Sequence, residues 1–265
     1  MIDALVFSRN RPMQLHCLLE SIKRNTNLSK IKVLHRYDAR YSDGLKLVQS
    51  ANPGVEFLEE ANFEVQVKSF LQGEEKYCTF FVDDIVVKDR IDFAQVCSVL
   101  ESNHQLLTFS LRLGTHLTRC YPNNAEQQVP NGSINSGFFV WGWKGASHDW
   151  GYPLSVDGHV FRRSELEGWC NHLKFKNPNQ FEASMQTIPS TFALQDHCVS
   201  YVISKIVNTP INRVQEEFKN RSEEVSIDSL YDSWMNGERL QFEKIFKLTN
   251  DGAHMPVEIP RGLRE

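Results

Sequence analysis

Two adjacent carboxylates, Asp83 and Asp84, interrupt a run of β-branched and aromatic residues at 77–88. A run of this composition predicts a strand that is buried on both faces. An unpaired buried carboxylate is very unfavourable, so the pair is expected to have a partner. At the carboxyl end of a parallel strand, two aspartates can face a ligand crevice and hold a hard divalent cation.

A second interpretation of this run is a strand that ends at Phe81 or Val82 and continues into a solvated Asp-Asp turn. The apolar pattern, however, resumes immediately at Ile85. This favours one continuous strand over 77–87 that carries the pair within it.

Four polar residues, Ser8, Arg9, Asn10 and Arg11, follow an apolar segment that predicts a first strand at 4–8. Guanidinium groups match phosphate oxygens in pairs, so Arg9 or Arg11 is a candidate for contact with a diphosphate. The alternative is a solvated loop that contains two arginines.

Asp38 occupies the equivalent position after the second predicted strand, at 31–35. The carboxyl ends of neighbouring parallel strands lie at the same edge of a sheet, where ligands bind. The pattern around Asp38 itself is that of an ordinary turn aspartate.

Strand and helix patterns alternate through the first part of the chain. Strands are predicted at 4–8, 31–35, 55–58, 77–87 and 106–113, with helices beginning near Pro12, Asp43, Phe63 and Asp89 or Asp92. This alternation predicts an α/β fold with a mainly parallel central sheet and helices on both faces. The 265 residues suffice for one large α/β domain or two small ones, and the pattern is regular over 1–113 and loop-rich over 114–265.

The second part of the chain has a weaker pattern. Its polar, turn-rich stretches are 114–135 and 144–158, its predicted strands include 137–143 and 199–207, and its predicted helices lie near 181–185 and 229–235. Such loops are where a small domain would place its specificity.

Composition narrows the class of protein. The chain is 41% hydrophobic and 23% charged, with a net charge of −4, so no global basic field attracts nucleic acid or anionic lipid. No stretch approaches the roughly 20 apolar residues that a membrane span needs, and the short apolar start resembles no signal peptide. The six cysteines are scattered and form no C-x-x-C pair, which favours reduced, mostly buried thiols in a cytoplasmic protein.

Three features, in this order, resemble a GT-A glycosyltransferase, the nucleotide-sugar-dependent type with one Rossmann-like domain, similar to family 2. They are the segment 8–12, the Val82-Asp83-Asp84 element and the aromatic, loop-rich second part. The order of predicted elements is similar over most of the chain, whereas the motifs themselves are similar only over short segments. The pair is followed by Ile85, so it departs from the commonest D-x-D form.

The resemblance implies that a sugar moves from a nucleoside-diphosphate sugar to an acceptor, with inversion. Residues 1–113 would bind the donor, and residues 114–265 would bind the acceptor, a glycan, a lipid-linked sugar or another small molecule. The segment Ser8–Arg11 would lie along the base and ribose, and Asp38 would recognise the nucleoside.

The resemblance also implies a divalent cation, Mn²⁺ or Mg²⁺, to stabilise charge on the leaving diphosphate. Asp84 would bind the cation, and Asp83 would bind the ribose or a metal-bound water. In this class a late histidine often completes the metal shell, and His254 occupies that place; the alternative is a surface histidine in a mobile tail. The small and turn-forming residues of 249–259 are expected to bury little by themselves.

An inverting transferase needs a base that takes the acceptor proton, usually Asp or Glu. Glu182, where a loop enters a short helix, is the first candidate, and Asp157, just before a strand, is the second. The further candidates are Asp149, Glu165 and Asp196. Four neighbouring aromatic residues could stack on sugar rings or form a packed core: Trp141, Trp143, Trp150 and Tyr152.

Other classes remain open. A nucleotidyltransferase also combines a parallel sheet with metal-binding aspartates, although it would usually show a glycine-rich loop after the first strand. A non-catalytic nucleotide-sugar-binding module would retain the fold without the chemistry. A zinc protein is disfavoured because Cys170-x-His172 and His197-Cys198 match no common zinc spacing.

Overall fold

The computed structural model describes residues 2–188, 195–210 and 225–263. Its strands are β1 Ile2–Arg9, β2 Ile31–Arg36, β3 Glu56–Glu59, β4 Tyr77–Val82, β5 Ile85–Val87, β6 Leu106–Ser110, β7 Arg119–Cys120, β8 Ala125–Glu126, β9 Gly132–Asn135, β10 Phe138–Gly142, β11 His159–Arg162, β12 His197–Tyr201, β13 Ile206–Asn208, β14 Glu238–Leu240 and β15 Arg261–Leu263. Within the described ranges, nine of these form one sheet in the order β3-β2-β1-β4-β11-β6-β12-β10-β9.

Most strands of this sheet run in one direction. β1 is parallel to β2 and β4, β2 to β3, and β6 to β12. Only β10 and β11 are antiparallel to both neighbours, so seven of the nine strands share a direction. The predicted α/β class with a mainly parallel central sheet is confirmed.

Helices cover both faces of the sheet. They are α1 Pro12–Asn25, α2 Ser42–Ala51, α3 Phe63–Leu71, α4 Phe93–Ser102, α5 Arg163–Cys170, α6 Pro178–Met185 and α7 Ile227–Met235. Side chains of β1 alternate between the two faces, because successive residues of a strand point in opposite directions. Val6 packs in one core cluster with Leu18 of α1, whereas Phe7 packs in the other with Phe63 of α3.

The continuous strand predicted over 77–87 is wrong. β4 ends at Val82, Asp83 and Asp84 form a turn, and β5 leaves the sheet to pair with β13. The solvated turn is also wrong, because Asp83 is only 5% exposed. A carboxylate pair inside the ladder would lie between apolar neighbours, whereas a turn at the sheet edge gives both side chains polar partners.

The strand predicted at 199–207 also divides, into β12 in the large sheet and β13 beside β5. All six cysteines are unpaired, and five of them are buried. In the described part of the chain, no helix has the length and apolar character required to traverse a membrane.

Candidate active site

Asp83 organises the loop that follows β1. Its Oδ2 accepts hydrogen bonds from Ser8 Oγ at 2.8 Å and from the backbone N–H of Arg9 at 3.2 Å. Its Oδ1 accepts from Nη1 of Arg11 at 2.9 Å. Three donors compensate the burial of this carboxylate. The structure therefore brings the loop and the aspartate pair together, as the sequence predicts.

Arg11 bridges the two aspartates. The same Nη1 lies 3.2 Å from Oδ2 of Asp84, and the arginine is only 6% exposed. Burial opposes its charge, but the two carboxylates outweigh burial and raise the pKa of Arg11. The solvated-loop alternative is thus wrong for Arg11, whereas the side chain of Arg9 is exposed.

Asn10 and Asp38 join the loops after β1 and β2. Asn10 Nδ2 donates to Asp38 Oδ2 at 2.7 Å, and the backbone N–H of Asp38 donates to Asn10 Oδ1 at 2.8 Å. Asn10 has a φ of +56°, a left-handed conformation that asparagine tolerates better than most residues. Ser8 Oγ also lies 2.9 Å from the hydroxyl of Tyr37, so the ends of β1, β2 and β4 form one polar edge.

One carboxylate oxygen of Asp84 accepts no hydrogen bond from any residue in the described ranges. Arg11 donates to Oδ2, whereas the buried Oδ1 has no partner among these residues. Burial, with Asp83 and Asp157 nearby, raises the pKa of Asp84 to about 6. Among the described residues, no three His, Cys, Asp or Glu side chains are grouped closely enough to hold a metal ion. A single carboxylate oxygen does fit Mg²⁺ or Mn²⁺ when substrate phosphates and waters complete the shell.

Asp157 reaches the same edge from the loop before β11. Gly158, the next residue, has a φ of +67°, and a Cβ there would lie 2.3 Å from Cδ1 of Ile206. Its N–H donates to the carbonyl of Phe80 at 2.8 Å, and its carbonyl accepts from Leu111 at 3.0 Å. Glycine suits this left-handed position best, and its two backbone hydrogen bonds hold the turn that follows Asp157.

We expect Gly158→Ala to lower the free energy of unfolding by about 1–3 kcal/mol, because it adds backbone strain and a buried clash. Urea denaturation measures the change. Gly168→Ala is the control, since a Cβ there meets nothing within 4 Å and alanine favours the helix α5. Equal denaturation midpoints for wild type and Gly158→Ala would contradict the close packing at this turn.

His254 lies between Asp157 and Arg112. Its Nε2 is 2.7 Å from Asp157 Oδ2, and its Nδ1 is 3.4 Å from Arg112 Nη1. A guanidinium only donates, so Nδ1 accepts and Nε2 carries the proton that is donated to Asp157. Burial disfavours the charged imidazole, but Asp157 outweighs burial and raises the pKa of His254. Burial likewise opposes the ionised Asp157, yet His254 outweighs it and lowers the pKa of Asp157.

The expectation that residues 249–259 bury little by themselves is wrong. Asn250 and Ala253 are 0% and 1% exposed. The backbone of Asn208 exchanges hydrogen bonds with Ala253 and Met255, each at 3.0 Å. The segment is therefore fixed against β13, and His254 serves Asp157 in this arrangement. Its role as a metal ligand, which requires a ring nitrogen to leave its present partner, Arg112 or Asp157, stays a prediction.

Arg112 is the residue that sequence reasoning missed. It lies just beyond β6, is 3% exposed, and approaches Oδ1 of Asp149 at 3.4 Å. Burial opposes its charge, but Asp149 and the neighbouring carboxylates raise the pKa of Arg112. A charge between Leu111 and Leu113 at the end of an apolar strand is the same signal that identified the aspartate pair.

Glu182 lies behind the loop that carries Asp157. Its Oε1 accepts from Ser155 Oγ at 2.5 Å and from the backbone N–H of Val156 at 3.1 Å. Burial, followed by the charge of Asp157, raises the pKa of Glu182. The structure thus places both base candidates in one region, with different partners.

Of the four aromatic residues near the predicted acceptor loops, two are fully buried and two are half-buried. Trp141 and Trp150 are 1% and 0% exposed and pack edge to face at 4.9 Å, as the core interpretation predicts. Trp143 and Tyr152 are half-buried. Burial, followed by the charges of Glu182 and Asp157, raises the pKa of Tyr152, and Arg112 opposes this shift.

No protein-family model matches the chain. A curated bifunctional glycosyltransferase, pgtA of Dictyostelium discoideum, is 25% identical over 92% of this chain. The sequence is similar to a glycosyltransferase. This agrees with the resemblance that the motifs predict. The match covers 36% of that relative, so the chain corresponds to about a third of its length.

Solved structures with a similar layout have low sequence identity. S. aureus TarS matches with a TM-score of 0.48 and 13% identity, over 77% of this chain and 37% of TarS. Glucosyl-3-phosphoglycerate synthase from Mycobacterium tuberculosis, in complex with Mn²⁺, UDP and glucosyl-3-phosphoglycerate, matches with a TM-score of 0.45 and 11% identity, over 74% and 67%. A 4-diphosphocytidyl-2C-methyl-D-erythritol synthase from Anaerococcus prevotii matches with a TM-score of 0.37 and 9% identity, over 70% and 82%. The function proposed below rests on the site and on the sequence relative.

Proposed function

We propose that the chain is a metal-dependent, inverting glycosyltransferase that moves a sugar from a nucleoside-diphosphate sugar to an acceptor hydroxyl. The supporting observation is that the turn of Asp84 and the loop of Asp157 are both held at the end of β13. Asn208 Nδ2 lies 3.4 Å from Oδ2 of Asp157, and the next residue, Thr209, donates its N–H to the backbone carbonyl of Asp84 at 2.8 Å. The candidate cation ligand and the candidate base are thus tied to adjacent residues, Asp84 through its backbone and Asp157 through its side chain.

The donor would occupy the polar edge formed by the loops after β1, β2 and β4, within residues 1–113. In this proposal Asp38 recognises the nucleoside, and the segment Ser8–Arg11 with Asp83 lies along the ribose. Arg11 holds the turn in shape through both aspartates. The exposed Arg9 side chain is free to turn toward the phosphates of the donor. Residues 114–265 would complete the same domain and bind the acceptor.

Asp84 would hold the divalent cation through the oxygen that has no hydrogen bond. When bound, Mn²⁺ or Mg²⁺ supplies positive charge that stabilises the leaving diphosphate. Arg11 donates to Oδ2 of Asp84, so Oδ1 is the oxygen that would bind the cation.

Asp157 is the base that the geometry favours. Its Oδ2 is held by His254 and Asn208, which leaves Oδ1 to take the proton of the acceptor. As the acceptor oxygen bonds to the anomeric carbon and the bond to the diphosphate breaks, this proton passes to Asp157. His254 lowers the pKa of Asp157, which keeps this carboxylate ionised. Glu182 is less suited to the role because its Oε1 accepts hydrogen bonds from Ser155 Oγ and the N–H of Val156 in the loop behind Asp157.

A panel of UDP-, GDP-, CMP- and dTDP-sugars, each with and without Mn²⁺, tests the proposal by thermal shift and by product release. We expect one donor class to stabilise the chain only with Mn²⁺, by about 2.7 kcal/mol at 100 times its dissociation constant. Slow release of free sugar would accompany binding. Binding without turnover would indicate a binding module, and nucleotide–pyrophosphate exchange would indicate a nucleotidyltransferase. Absence of stabilisation by any donor would contradict the proposal.

A further inference from the structure

Helix α6 and its C-cap residue present two side chains, one turn apart, to the loop that precedes β11: Glu182 within the helix and Gln186 at its end. Glu182 accepts hydrogen bonds from Ser155 Oγ and the backbone N–H of Val156. Gln186 donates through Nε2 to the carbonyl of Leu154. Residues four apart lie on the same face of a helix, so these contacts form one clamp on three consecutive loop residues.

Ser155 extends this clamp to Asp157. Its hydroxyl donates to Glu182, and its oxygen accepts from the backbone N–H of Asp157 at 3.1 Å. Ser155 is fully buried, so water does not compete for these bonds. The backbone on the N-terminal side of Asp157 is therefore fixed by Glu182, while Gly158 fixes it on the other side.

Helix α6, which carries Glu182, is capped at its N-terminus and packed against the core. Asn177 caps α6 through a hydrogen bond from the N–H of Gln180 at 2.9 Å, and Pro178 occupies the first turn. On the adjacent face of α6, Phe181 and Met185 are fully buried in the core. A helix held in this way can orient a loop without moving with it.

Both hydrogen bonds to the Glu182 carboxylate go to Oε1, and both come from the loop. Glutamine offers the same oxygen, whereas a base requires an ionisable carboxyl group. Replacement of Glu182 by glutamine would therefore preserve a positioning role but abolish a role as the base.

We infer that Glu182 is a positioning residue, which holds Asp157 through Ser155 so that Asp157 faces the acceptor. This inference rests on the proposed function, because it assumes that Asp157 takes the acceptor proton. The hydrogen bonds that hold the loop before Asp157 can nevertheless be measured without any transfer reaction.

Glu182→Gln and Glu182→Ala are the matched pair of variants. We expect Gln to keep kcat within about tenfold of wild type, because it retains the acceptor oxygen. Ala should lower kcat by on the order of 100-fold, as expected for a misplaced reacting group, with the donor KM unchanged. Ser155→Ala should resemble Glu182→Ala, and it replaces that variant if Glu182→Ala does not fold.

Amide hydrogen exchange of residues 155–157 is the second measurement. Exchange should be faster in Glu182→Ala and in Ser155→Ala, and unchanged in Glu182→Gln. A loss of 10²–10⁴ in Glu182→Gln with wild-type exchange would overturn the inference and identify Glu182 as the base. If no transfer is detected for any variant, the proposed function fails, yet exchange still decides whether the clamp exists. Equal exchange in all variants overturns the inference in either case.

Discussion

Asp84→Asn is expected to abolish Mn²⁺-dependent binding of the donor and to lower transfer by more than about 100-fold. Loss of a group that merely orients a metal ligand already costs 10–100-fold, and here the ligand itself is replaced. The amide oxygen carries no net charge, so it holds a divalent cation poorly beside the guanidinium of Arg11. Isothermal titration with a nucleoside diphosphate, with and without Mn²⁺, measures the binding.

The fold should survive this substitution. Asparagine has the shape of aspartate and can still accept from Arg11, which also retains Asp83 at 2.9 Å. Because burial raises the pKa of Asp84 to about 6, its ionised form opposes folding above that pH, and an uncharged side chain removes this term. Asp43→Asn, at a side chain that is 68% exposed, is the control and should behave as wild type. Wild-type turnover of Asp84→Asn in Mn²⁺ would exclude Asp84 as the cation ligand.

The order of strands and helices follows from local hydrophobic patterns, which can be read directly from the sequence. Apolar periodicity and the proline at the start of α1 predict the alternation that builds the parallel part of the sheet. The antiparallel insertion of β11 between β4 and β6 is different, because it joins strands that are distant in the chain. The spacing of apolar residues along β11 does not indicate which strands it will pair with.

The turn at Asp83 and Asp84 shows why element ends are harder to predict. Val82 and Ile85 continue the apolar pattern on either side of the pair, so periodicity favours a single strand. What ends β4 is the set of donors from the loop after β1, more than 70 residues earlier. Long-range polar partners therefore override the local pattern at the position where ligands are expected to bind.

The candidate site could be predicted as a list of residues but not as a set of contacts. Asp157 and His254 are separated by 97 positions, yet they lie 2.7 Å apart. Arg112, between them and Asp149, could have been found by the rule that identified the aspartates, a charge at the end of an apolar strand. Which oxygen of Asp84 lacks a partner depends on the side chain of Arg11, and only the folded arrangement reveals it.

Asp157→Asn is expected to lower kcat by on the order of 10²–10⁴ while leaving the affinity for the donor unchanged. The loss is specific to proton transfer, because an amide cannot take the proton of the acceptor hydroxyl. The local structure should persist, since the amide oxygen can still accept from Nε2 of His254. The donor edge, formed by residues 8–11 with Asp38 and Asp83, makes no hydrogen bond to Asp157 among the described residues.

Steady-state transfer assays, with donor binding measured separately by titration, separate the two effects. Asp232→Asn, on the exposed side of α7, is a control for the charge change. Glu182→Gln provides the internal comparison, because it removes the other candidate carboxylate from the same region. If Asp157→Asn keeps wild-type kcat while Glu182→Gln loses it, the base is Glu182. If both variants keep wild-type kcat, the proton leaves by another route, and inversion through a carboxylate base at this edge is excluded.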